Sequence, residues 1–506
     1  ATINHHQERI TVWFIFLLGL MLRLYQLGAD SFWIDEIGVA TAAQMPTVGE
    51  MLRIAHDHVM AMPLDYFVAW LFARLDTGEF WLRIPSALWG SFLIPIAFLL
   101  FRRLTNYRIA LLTCLLLALS PLHIQYSQEL RFYAALTFFY LLSTWLLVRS
   151  IENPVPLNWA MFTLVTVIGI FFHVYILLSI VNGGIWLWIT HCSDREIIQK
   201  RKYYLRSVAI LLITFLVALF AFGRLYAHVV PFLLNEPSFL SVLGTGLGWI
   251  PFSLSDSILP WVFGGLCMIF GLAGVAGYLV KNPAGRVSAL TYAVVAQVVI
   301  ISLLNLANHY FIAPRQFLFL APFMLFFAAS GIHRFVSHVS QKCSESGAAL
   351  LSISTIAVLL LASAPALANY YRGHKGMARE ICQALDQVWQ PGAVVLVIPD
   401  FEVSNYRYYS SKSNQADGLT ESMFGTNWLE LHQYIQTESN PTYLVTPYPL
   451  AVENERLLKS AAFEVFITTP DSTRFTHSVW YRDGIAAVQP LSPIIDERMW
   501  CSLNRC

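Results

Sequence analysis

The sequence alternates long apolar stretches with short polar connections over most of its length. A helix needs roughly 20 mostly apolar residues to cross the hydrocarbon core of a bilayer. Another apolar run, Pro63–Leu75, is too short to span and carries Asp65 near its start, which predicts an interfacial helix. The pattern therefore predicts a polytopic α-helical membrane protein with about 11 spans: Ile10–Tyr25, Ile84–Phe101, Ile109–His123, Tyr133–Val148, Leu157–Phe172, Ile176–Ile189, Val208–Phe222, Ile258–Val280, Val287–Leu304, Phe317–His333 and Ala348–Leu367.

The periodicity changes after Tyr371, where short helical and strand patterns alternate. Such alternation favours a small α/β domain with a partly parallel sheet. No glycine-rich phosphate motif follows the first predicted strand, which disfavours nucleotide binding. We therefore predict a membrane domain over residues 1–369 and an α/β domain over 370–506, and it stays open whether the latter helps to bind an acceptor or only stabilises the protein. The predicted tail elements are helices Met377–Trp389, Trp428–Gln436 and Glu453–Ala462 and strands Ala393–Pro399, Thr442–Thr446 and Glu464–Thr468.

Composition supports this division. The chain is 57% hydrophobic and 12% charged, whereas soluble domains carry about 25% charged residues. Residues 370–506 hold 11 Lys/Arg and 15 Asp/Glu, which is a soluble-like density. A net charge of +1 excludes the strongly basic nucleic-acid-binding class. The scattered cysteines predict no zinc site, and a disulfide among Cys382, Cys501 and Cys506 would leave one of them unpaired.

The distribution of positive charge predicts the orientation in the membrane, because short cytoplasmic loops retain Lys and Arg. With the N-terminus inside, the inner connections hold most of the membrane domain's basic residues. The long first loop (residues 26–82) and the α/β domain then lie outside. No cleavable signal is expected after the first apolar segment, which should remain as an anchor. This arrangement predicts a multi-pass protein of the cytoplasmic membrane.

The first outer loop places two adjacent acids, Asp35 and Glu36, just after Trp33. A carboxylate here can accept a proton from an attacking hydroxyl or amine. Adjacent residues in an extended segment point to opposite faces, so one acid should face a cavity, and we predict Asp35. The alternative is an interfacial tryptophan anchor followed by two solvated acids.

The next outer connection packs Gln128, Glu129, Arg131 and Tyr133 between two apolar spans. Glu129 is a candidate ligand for a divalent ion, and Arg131 is a candidate phosphate binder through charge-assisted hydrogen bonds. The alternative is an exposed loop ion pair, which would stabilise little.

A late span is preceded by His309, Tyr310 and Arg315. Arg315 begins an otherwise apolar helix, where its charge either meets an anion such as a lipid phosphate or snorkels to ordinary headgroups. His309 is a candidate metal ligand or proton donor. In the first loop, His56 is a second candidate ligand, although divalent sites draw on more than one segment.

These motifs together resemble the GT-C superfamily of polyprenyl-phosphate-sugar transferases, in particular the branch of protein O-mannosyltransferases and lipid A aminoarabinose transferases. The resemblance covers about residues 10–335. It is carried by four motifs in order: Trp33-x-Asp35-Glu36, Met62-Pro63-Leu64-Asp65-Tyr66, Tyr126-Ser127-Gln128-Glu129-x-Arg131-x-Tyr133, and Tyr310-Phe311 with Arg315.

The resemblance implies an inverting glycosyltransferase that uses an undecaprenyl- or dolichyl-phosphate sugar and has helices lying on the membrane within its first loop. It implies catalytic roles for Asp35, Glu36 and Glu129, with Asp35 as the base. The implied substrate-binding residues are Gln128, Arg131, Tyr133, Tyr310 and Arg315, and the implied ligands of a divalent Mg, Mn or Zn ion are His56, Glu129 and His309. The sequence lacks a second-loop Asp-Glu pair and an inserted carbohydrate-binding domain, which leaves the acceptor open among glycans, lipids and proteins.

Two other functions share these features. A lipid-linked-sugar flippase would also have many spans with polar residues, although transporters place their sites near the bilayer midplane, often between repeated halves. An oligosaccharide ligase or polymerase would use a similar lipid at the same face but transfer a longer glycan.

Overall fold

The structure is a computed structural model that describes most of the chain. It describes residues 5–57, 62–189, 195–222, 258–308, 314–342, 344–372, 377–388, 393–398, 402–413, 423–425, 431, 441–446, 452–460, 463–468 and 478–482. The chain divides into two compact units, each with its own internal contacts. We call them the membrane unit (Ala1–Leu27, Ala42–Thr77 and Trp81–Tyr370) and the tail unit (Gly28–Thr41, Gly78–Phe80 and Tyr371–Cys506).

Helices make up nearly all of the described membrane unit. They are α1 His5–Leu24, α3 Val48–Asp57, α4 Pro63–Phe72, α5 Glu79–Leu104, α6 Tyr107–Leu119, α7 Pro121–Ser127, α8 Tyr133–Glu152, α9 Pro156–Ile170, α10 Ser179–Ile189, α11 Arg195–Phe222, α12 Ile258–Lys281, α13 Arg286–Asn308, α14 Ala321–Ser340 and α15 Glu345–Arg372. Turns of 3₁₀ helix at Val174–Leu178 and Pro314–Leu320 precede α10 and α14. Helix α2, Ile34–Ala43, belongs to the tail unit.

All eleven apolar stretches are helical over most of their length, which confirms the predicted fold class. Within the described residues, six helices are long and apolar enough to cross a membrane, and a bent pair makes a seventh if it counts as one span. Other predicted spans form shorter apolar helices, among them α9 and α10. The protein is thus a multi-pass membrane protein, and the total of eleven spans stays a prediction.

The bent pair is α6 and α7, which meet at 61°. Pro121 has no backbone N–H and cannot continue α6, but a proline suits the first position of a new helix. Ser120 caps this new helix by accepting a hydrogen bond from the His123 N–H at 3.4 Å. The stretch predicted as a connection between spans therefore begins as a second, buried helix.

A fully buried arginine, Arg23, forms hydrogen bonds with the backbone where Pro121 interrupts α6. Because Pro121 cannot donate to Leu117, that carbonyl accepts from the Arg23 guanidinium at 3.2 Å, and His123 Nδ1 accepts from it at 2.8 Å. Arg23 also donates to Ser127 at 3.2 Å. A Cβ at Gly90 would lie 2.1 Å from the Ser127 Oγ, so only glycine lets α5 approach this network.

The interior of the membrane unit contains a second polar network, which joins α8, α10 and α13. Tyr140 donates to the Gln297 side chain at 2.6 Å and accepts from Asn182 at 2.9 Å. Gln297 in turn donates to Asn182 at 2.6 Å. Buried side-chain hydrogen bonds of this kind fix helices against one another where the apolar surfaces alone give no register.

Loss of the central hydroxyl is expected to weaken the packing of these helices. Tyr140→Phe leaves the Gln297 oxygen and an Asn182 N–H without this partner, so we expect the free energy of unfolding to fall by about 1–2 kcal/mol. Thermal unfolding in detergent measures this, with Tyr292→Phe on the exposed side of α13 as the matched control. Equal midpoints for the two variants would contradict the role of the network.

Ion pairs connect α8 to α5 and α13 at the C-terminal end of α8. Glu152, at the end of α8, binds both Arg103 of α5 and Arg286 of α13. Glu8 of α1 pairs with Arg102 at 2.7 Å. Since α8 rises about 1.5 Å per residue, this charged end lies about the thickness of a bilayer core from Tyr133, where α8 begins.

The tail unit contains a five-stranded mixed sheet of order β2-β1-β3-β5-β4. Strands β1 (Val394–Val397), β2 (Met423–Gly425) and β3 (Thr442–Thr446) are parallel, whereas β4 (Glu464–Thr468) and β5 (Ser478–Arg482) pair antiparallel. The prediction of a partly parallel α/β layer is confirmed. Its helices are α16 (Ala378–Val388), α17 (Val403–Ser413) and α18 (Val452–Ser460).

The predictions for individual helices, strands and cysteines of the tail unit differ in outcome. Helix α17 and strands β2 and β5 had not been predicted. Most of the predicted helix Trp428–Gln436 lies outside the described residues. The Cys382 thiol is buried and donates to the Tyr406 carbonyl, while Cys501 and Cys506 lie outside the described residues, so a disulfide among the three stays a prediction.

Candidate active site

The segment from Gln125 to Tyr133, which was predicted as a connection packed between two apolar spans, is mostly buried. Residues 121–130 are all buried. Gln128 ends α7, and its amide donates to the carbonyls of Arg23 and Tyr25 at 3.0 and 2.7 Å. Its side-chain oxygen accepts from the Tyr370 hydroxyl at 2.6 Å. Gln128 thus braces α7 against α1 and α15, and its predicted contact with substrate stays a prediction.

Glu129 is also buried, with 1% of its surface exposed. One of its carboxylate oxygens accepts a hydrogen bond from the Gln125 amide at 3.3 Å. The exposed loop ion pair that was the alternative for Glu129 and Arg131 is therefore wrong for Glu129, because its carboxylate lies inside the protein.

Two arginines predicted to bind phosphate are brought to the same tyrosine. The guanidinium carbons of Arg131 and Arg315 lie 5.9 and 6.0 Å from the centre of the Tyr133 ring. Arg131 also lies 5.3 Å from the ring of Phe132. Both side chains are half-buried. A guanidinium group can hold an anion with several oxygens through paired, charge-assisted hydrogen bonds.

Asp65 and His173 complete the surroundings of Arg131. The Leu64 N–H donates to the Phe171 carbonyl at 3.1 Å, which fastens the start of α4 to the end of α9. His173 stacks on Phe132 with ring centres 4.4 Å apart, and its Nδ1 accepts from a backbone N–H at 3.2 Å. Burial and the nearby charge of Arg131 lower the pKa of His173 to about 3. His173 is therefore neutral, with its proton on Nε2.

Asp65 behaves differently from an ordinary surface acid. Burial raises its pKa from 3.8 to about 6, although the charge of Arg131 opposes the shift. The folded protein holds this proton more tightly than the unfolded chain does. The contribution of Asp65 to stability is therefore fully present below about pH 4 and is lost as the pH rises through about 6.

Asp65→Asn removes this ionisation. We expect the variant to be more stable than the wild type near neutral pH, by about 1–3 kcal/mol, with the difference shrinking towards pH 4. Thermal unfolding at several pH values measures this, with exposed Asp76→Asn as the control. A difference between variant and wild type that does not change with pH would contradict it.

The two acids of the first motif belong to the tail unit and lie in helix α2, not in an extended segment. The prediction of an extended backbone is wrong because Trp33 starts a helix here: its carbonyl accepts from the Glu36 N–H at 2.8 Å. Glu36 is fully buried, and its carboxylate accepts from the Trp33 N–H at 3.3 Å. Glu36 therefore caps α2, whereas Asp35 is half-buried in the first turn.

Other residues of the tail unit hold this segment. The Tyr409 hydroxyl accepts from the Phe32 N–H at 2.5 Å and donates to the Glu79 carboxylate at 2.8 Å. Arg379 pairs with Glu79 at 3.1 Å and donates to the Ala29 carbonyl at 2.7 Å. The chain leading into α2 is thus fixed by side chains of α16 and α17.

The candidate metal ligands do not assemble into a site within the part of the chain that is described. No group of three His, Cys, Asp or Glu residues there could hold a metal ion. His56 lies half-buried in the last turn of α3, and His309, like Tyr310, lies outside the described residues. The divalent ion therefore stays a prediction, and the charges that the structure places near Tyr133 are those of arginines.

Asp65, which interacts with Arg131, was not among the predicted site residues, and the structural network of Arg23 and His123 was not predicted either. An available signal was an ionisable residue inside an otherwise apolar helix, which is costly without a partner. Arg23 lies near the end of the first predicted span and Asp65 lies in the short apolar run. Both were visible, but their partners, Leu117 and Arg131, are distant in sequence.

Comparisons with known proteins agree with this architecture. A family model described as dolichyl-phosphate-mannose-protein mannosyltransferase matches residues 58–220. No curated protein matches the sequence. The structure of ArnT from Cupriavidus metallidurans in the apo state aligns with a TM-score of 0.56 at 13% identity, over 93% of this chain and 97% of that chain.

Two structures with bound lipid phosphates are also similar. ArnT from Cupriavidus metallidurans bound to undecaprenyl phosphate has a TM-score of 0.53 at 14% identity, covering 95% of this chain and 99% of that one. The oligosaccharyltransferase AglB from Archaeoglobus fulgidus, in complex with an inhibitory peptide and a dolichol-phosphate, has a TM-score of 0.52 at 10% identity, covering 94% and 74%.

This chain has the same fold as the ArnT and AglB structures, which is the fold expected from the resemblance to the GT-C superfamily. The resemblance inferred from the four motifs is therefore confirmed for the architecture, and two of those motifs, from Met62 and from Tyr126, fall within the matched family region. At such low identity a GT-C fold by itself assigns neither donor nor acceptor. The chemistry has to be argued from the side chains of this chain.

Proposed function

We propose that this protein is an integral-membrane glycosyltransferase that moves a sugar from a polyprenyl-phosphate carrier to an extracytoplasmic acceptor, with inversion at the sugar C1. The observation that carries the proposal is the pair Arg131 and Arg315 beside Tyr133, in a membrane unit of GT-C fold. Guanidinium groups bind phosphate oxygens through two parallel hydrogen bonds. The ArnT and AglB structures with bound lipid phosphates support this choice of anion.

In the proposed reaction an acceptor hydroxyl or amine attacks the sugar C1 from the face opposite the phosphate. The bond between C1 and the phosphate oxygen breaks, and its electron pair leaves with the polyprenyl phosphate. Arg131 and Arg315 compensate the charge that develops on this leaving group. Asp35 accepts the proton of the attacking group.

The proposal assigns the base to Asp35 and not to Glu36. The carboxylate of Glu36 is engaged with the Trp33 N–H and is fully buried, whereas Asp35 is partly exposed. Glu129 is proposed to act through Gln125, by holding the end of α7 close to Arg131.

The proposed orientation is that of the cytoplasmic membrane, with the N-terminus inside and the candidate site outside. The cluster of Arg102, Arg103, Glu152 and Arg286 lies at the end of α8 opposite Tyr133, as expected for a positively charged cytoplasmic face. Cysteine labelling from the two sides of the membrane tests this orientation. Labels at positions 35 and 315, both partly exposed, on different sides would overturn it.

Purified protein in vesicles with a single-sugar polyprenyl phosphate and a mixture of acceptors tests the activity. Release of polyprenyl phosphate together with a glycosylated product is expected. Movement of the intact lipid across the membrane without cleavage would identify a flippase and overturn the proposal. A requirement for a donor carrying a longer glycan would identify a ligase or polymerase and would overturn the assigned donor.

A further inference from the structure

A cavity lies in the membrane unit, away from the candidate active site. It is a groove of about 860 Å³ between α1, α6, α14 and α15. Its walls include Ile15, Leu111, Leu112, Leu115 and Ile332. A groove of this size and apolar lining is in the range of small-molecule binding sites.

The groove changes from polar to apolar along its length. At one end are Tyr107 and Arg108, which begin α6, together with Ser340 and Gln341, which end α14. Leu115 lies seven residues after Arg108, so the apolar part extends about 10 Å along α6. A charged end leading into an apolar channel matches the shape of an amphiphile.

The charge at the polar end is positive. Arg108 is exposed, and its Nε donates to the Tyr107 hydroxyl at 3.0 Å. His333 also lines the groove. None of the described residues that line the groove is acidic. An anionic headgroup therefore complements this end.

The groove and the candidate active site lie at opposite ends of α14. Arg315 precedes the start of α14, whereas His333 and Ser340 lie in its second half. The two regions are thus separated by about 20 Å of helix. A lipid bound in the groove occupies the leaflet on the side of the Glu152 ion pairs.

We propose that this groove binds an anionic membrane phospholipid of the leaflet opposite the candidate active site. Its phosphate contacts Arg108 and its acyl chain lies along Leu111, Leu112 and Leu115. Basic pockets between transmembrane helices bind anionic headgroups in this way. The bound lipid would fill the space between α15 and the rest of the unit, so the site is structural or regulatory and independent of the sugar chemistry.

The test is native mass spectrometry of the full-length protein titrated with phosphatidylglycerol and phosphatidylcholine of identical chains. We expect phosphatidylglycerol to bind about tenfold more tightly, and Arg108→Gln to abolish this preference by weakening phosphatidylglycerol alone about tenfold. Leu112→Trp, which fills the apolar part, should weaken both lipids. Arg201→Gln changes an exposed arginine of α11 outside the groove and should bind as the wild type does.

The ratio of the two affinities within one preparation is the readout, so a partly unfolded variant does not distort it. Equal affinities in the wild type, or an unchanged ratio in Arg108→Gln, would overturn the proposal. Displacement of phosphatidylglycerol by an equimolar polyprenyl phosphate, dependent on Arg108, would overturn the choice of phospholipid as the occupant.

Discussion

Asp35→Asn is expected to lower the rate of sugar transfer about 10²–10⁴-fold, the usual range for loss of a general base. The substitution keeps the size and polarity of the side chain but removes the oxygen charge that accepts the proton. Because the donor is held elsewhere in the proposed mechanism, KM for the lipid should change little while kcat falls. Steady-state transfer with a verified polyprenyl-phosphate sugar measures both constants.

The neighbouring acid provides a matched control. In Glu36→Gln the amide oxygen still accepts from the Trp33 N–H, and glutamine serves in this capping position as glutamate does. We therefore expect nearly wild-type transfer from Glu36→Gln. Wild-type transfer from Asp35→Asn, or an equal loss in both variants, would contradict the assignment of the base.

Arg131→Gln and Arg315→Gln are each expected to reduce kcat about 10²–10³-fold, as does loss of one group that stabilises developing charge. The two side chains share Tyr133, so the double variant should lose less than the product of the single effects. Arg131→Lys keeps the positive charge but lacks the planar guanidinium group. Its kcat should therefore lie between those of Arg131→Gln and the wild type. Single-turnover release of polyprenyl phosphate measures the step that these residues act on.

Arg149→Gln is the control for this series. Arg149 is an exposed arginine near the other end of α8, 5.8 Å from the Trp145 ring, and its loss should leave release unchanged. If Arg131→Gln releases polyprenyl phosphate as fast as Arg149→Gln does, the leaving-group role proposed for the arginines is wrong.

Much of the fold could be predicted because its signals are local. An apolar stretch of some 20 residues forms a helix whatever lies around it, since a bilayer leaves no other way to satisfy the backbone. Pro63 and Asp65 likewise marked a short interfacial helix, and the structure has α4 there. In the tail, the strands at Thr442 and Glu464 were visible as compact β-branched and aromatic runs.

What could not be predicted depends on partners that are distant in sequence. Pro121 indicates that a helix ends, but only the network around Arg23 explains why another buried helix starts at once. Gln128 was read as a substrate ligand, yet its amide reaches Tyr25 and Tyr370, which no local pattern reveals. The polar helix α17 carries Tyr409, whose hydroxyl holds Phe32, and its own sequence shows neither a clear apolar stripe nor this contact.

The two acids of the first motif, Asp35 and Glu36, also show what a local pattern cannot predict. The sequence indicated that only one of Asp35 and Glu36 would face a cavity, but the reason offered, an extended backbone, was wrong. In the structure, Glu36 caps helix α2 and is fully buried, whereas Asp35 is half-buried. The choice of Asp35 stays a prediction that rests on a different physical cause.

The most direct test of the central claim is an experimental structure of the protein with polyprenyl phosphate bound. The account predicts that the phosphate oxygens accept hydrogen bonds from the guanidinium groups of both Arg131 and Arg315, beside the Tyr133 ring. A phosphate bound elsewhere, beyond hydrogen-bonding distance of both arginines, would contradict it.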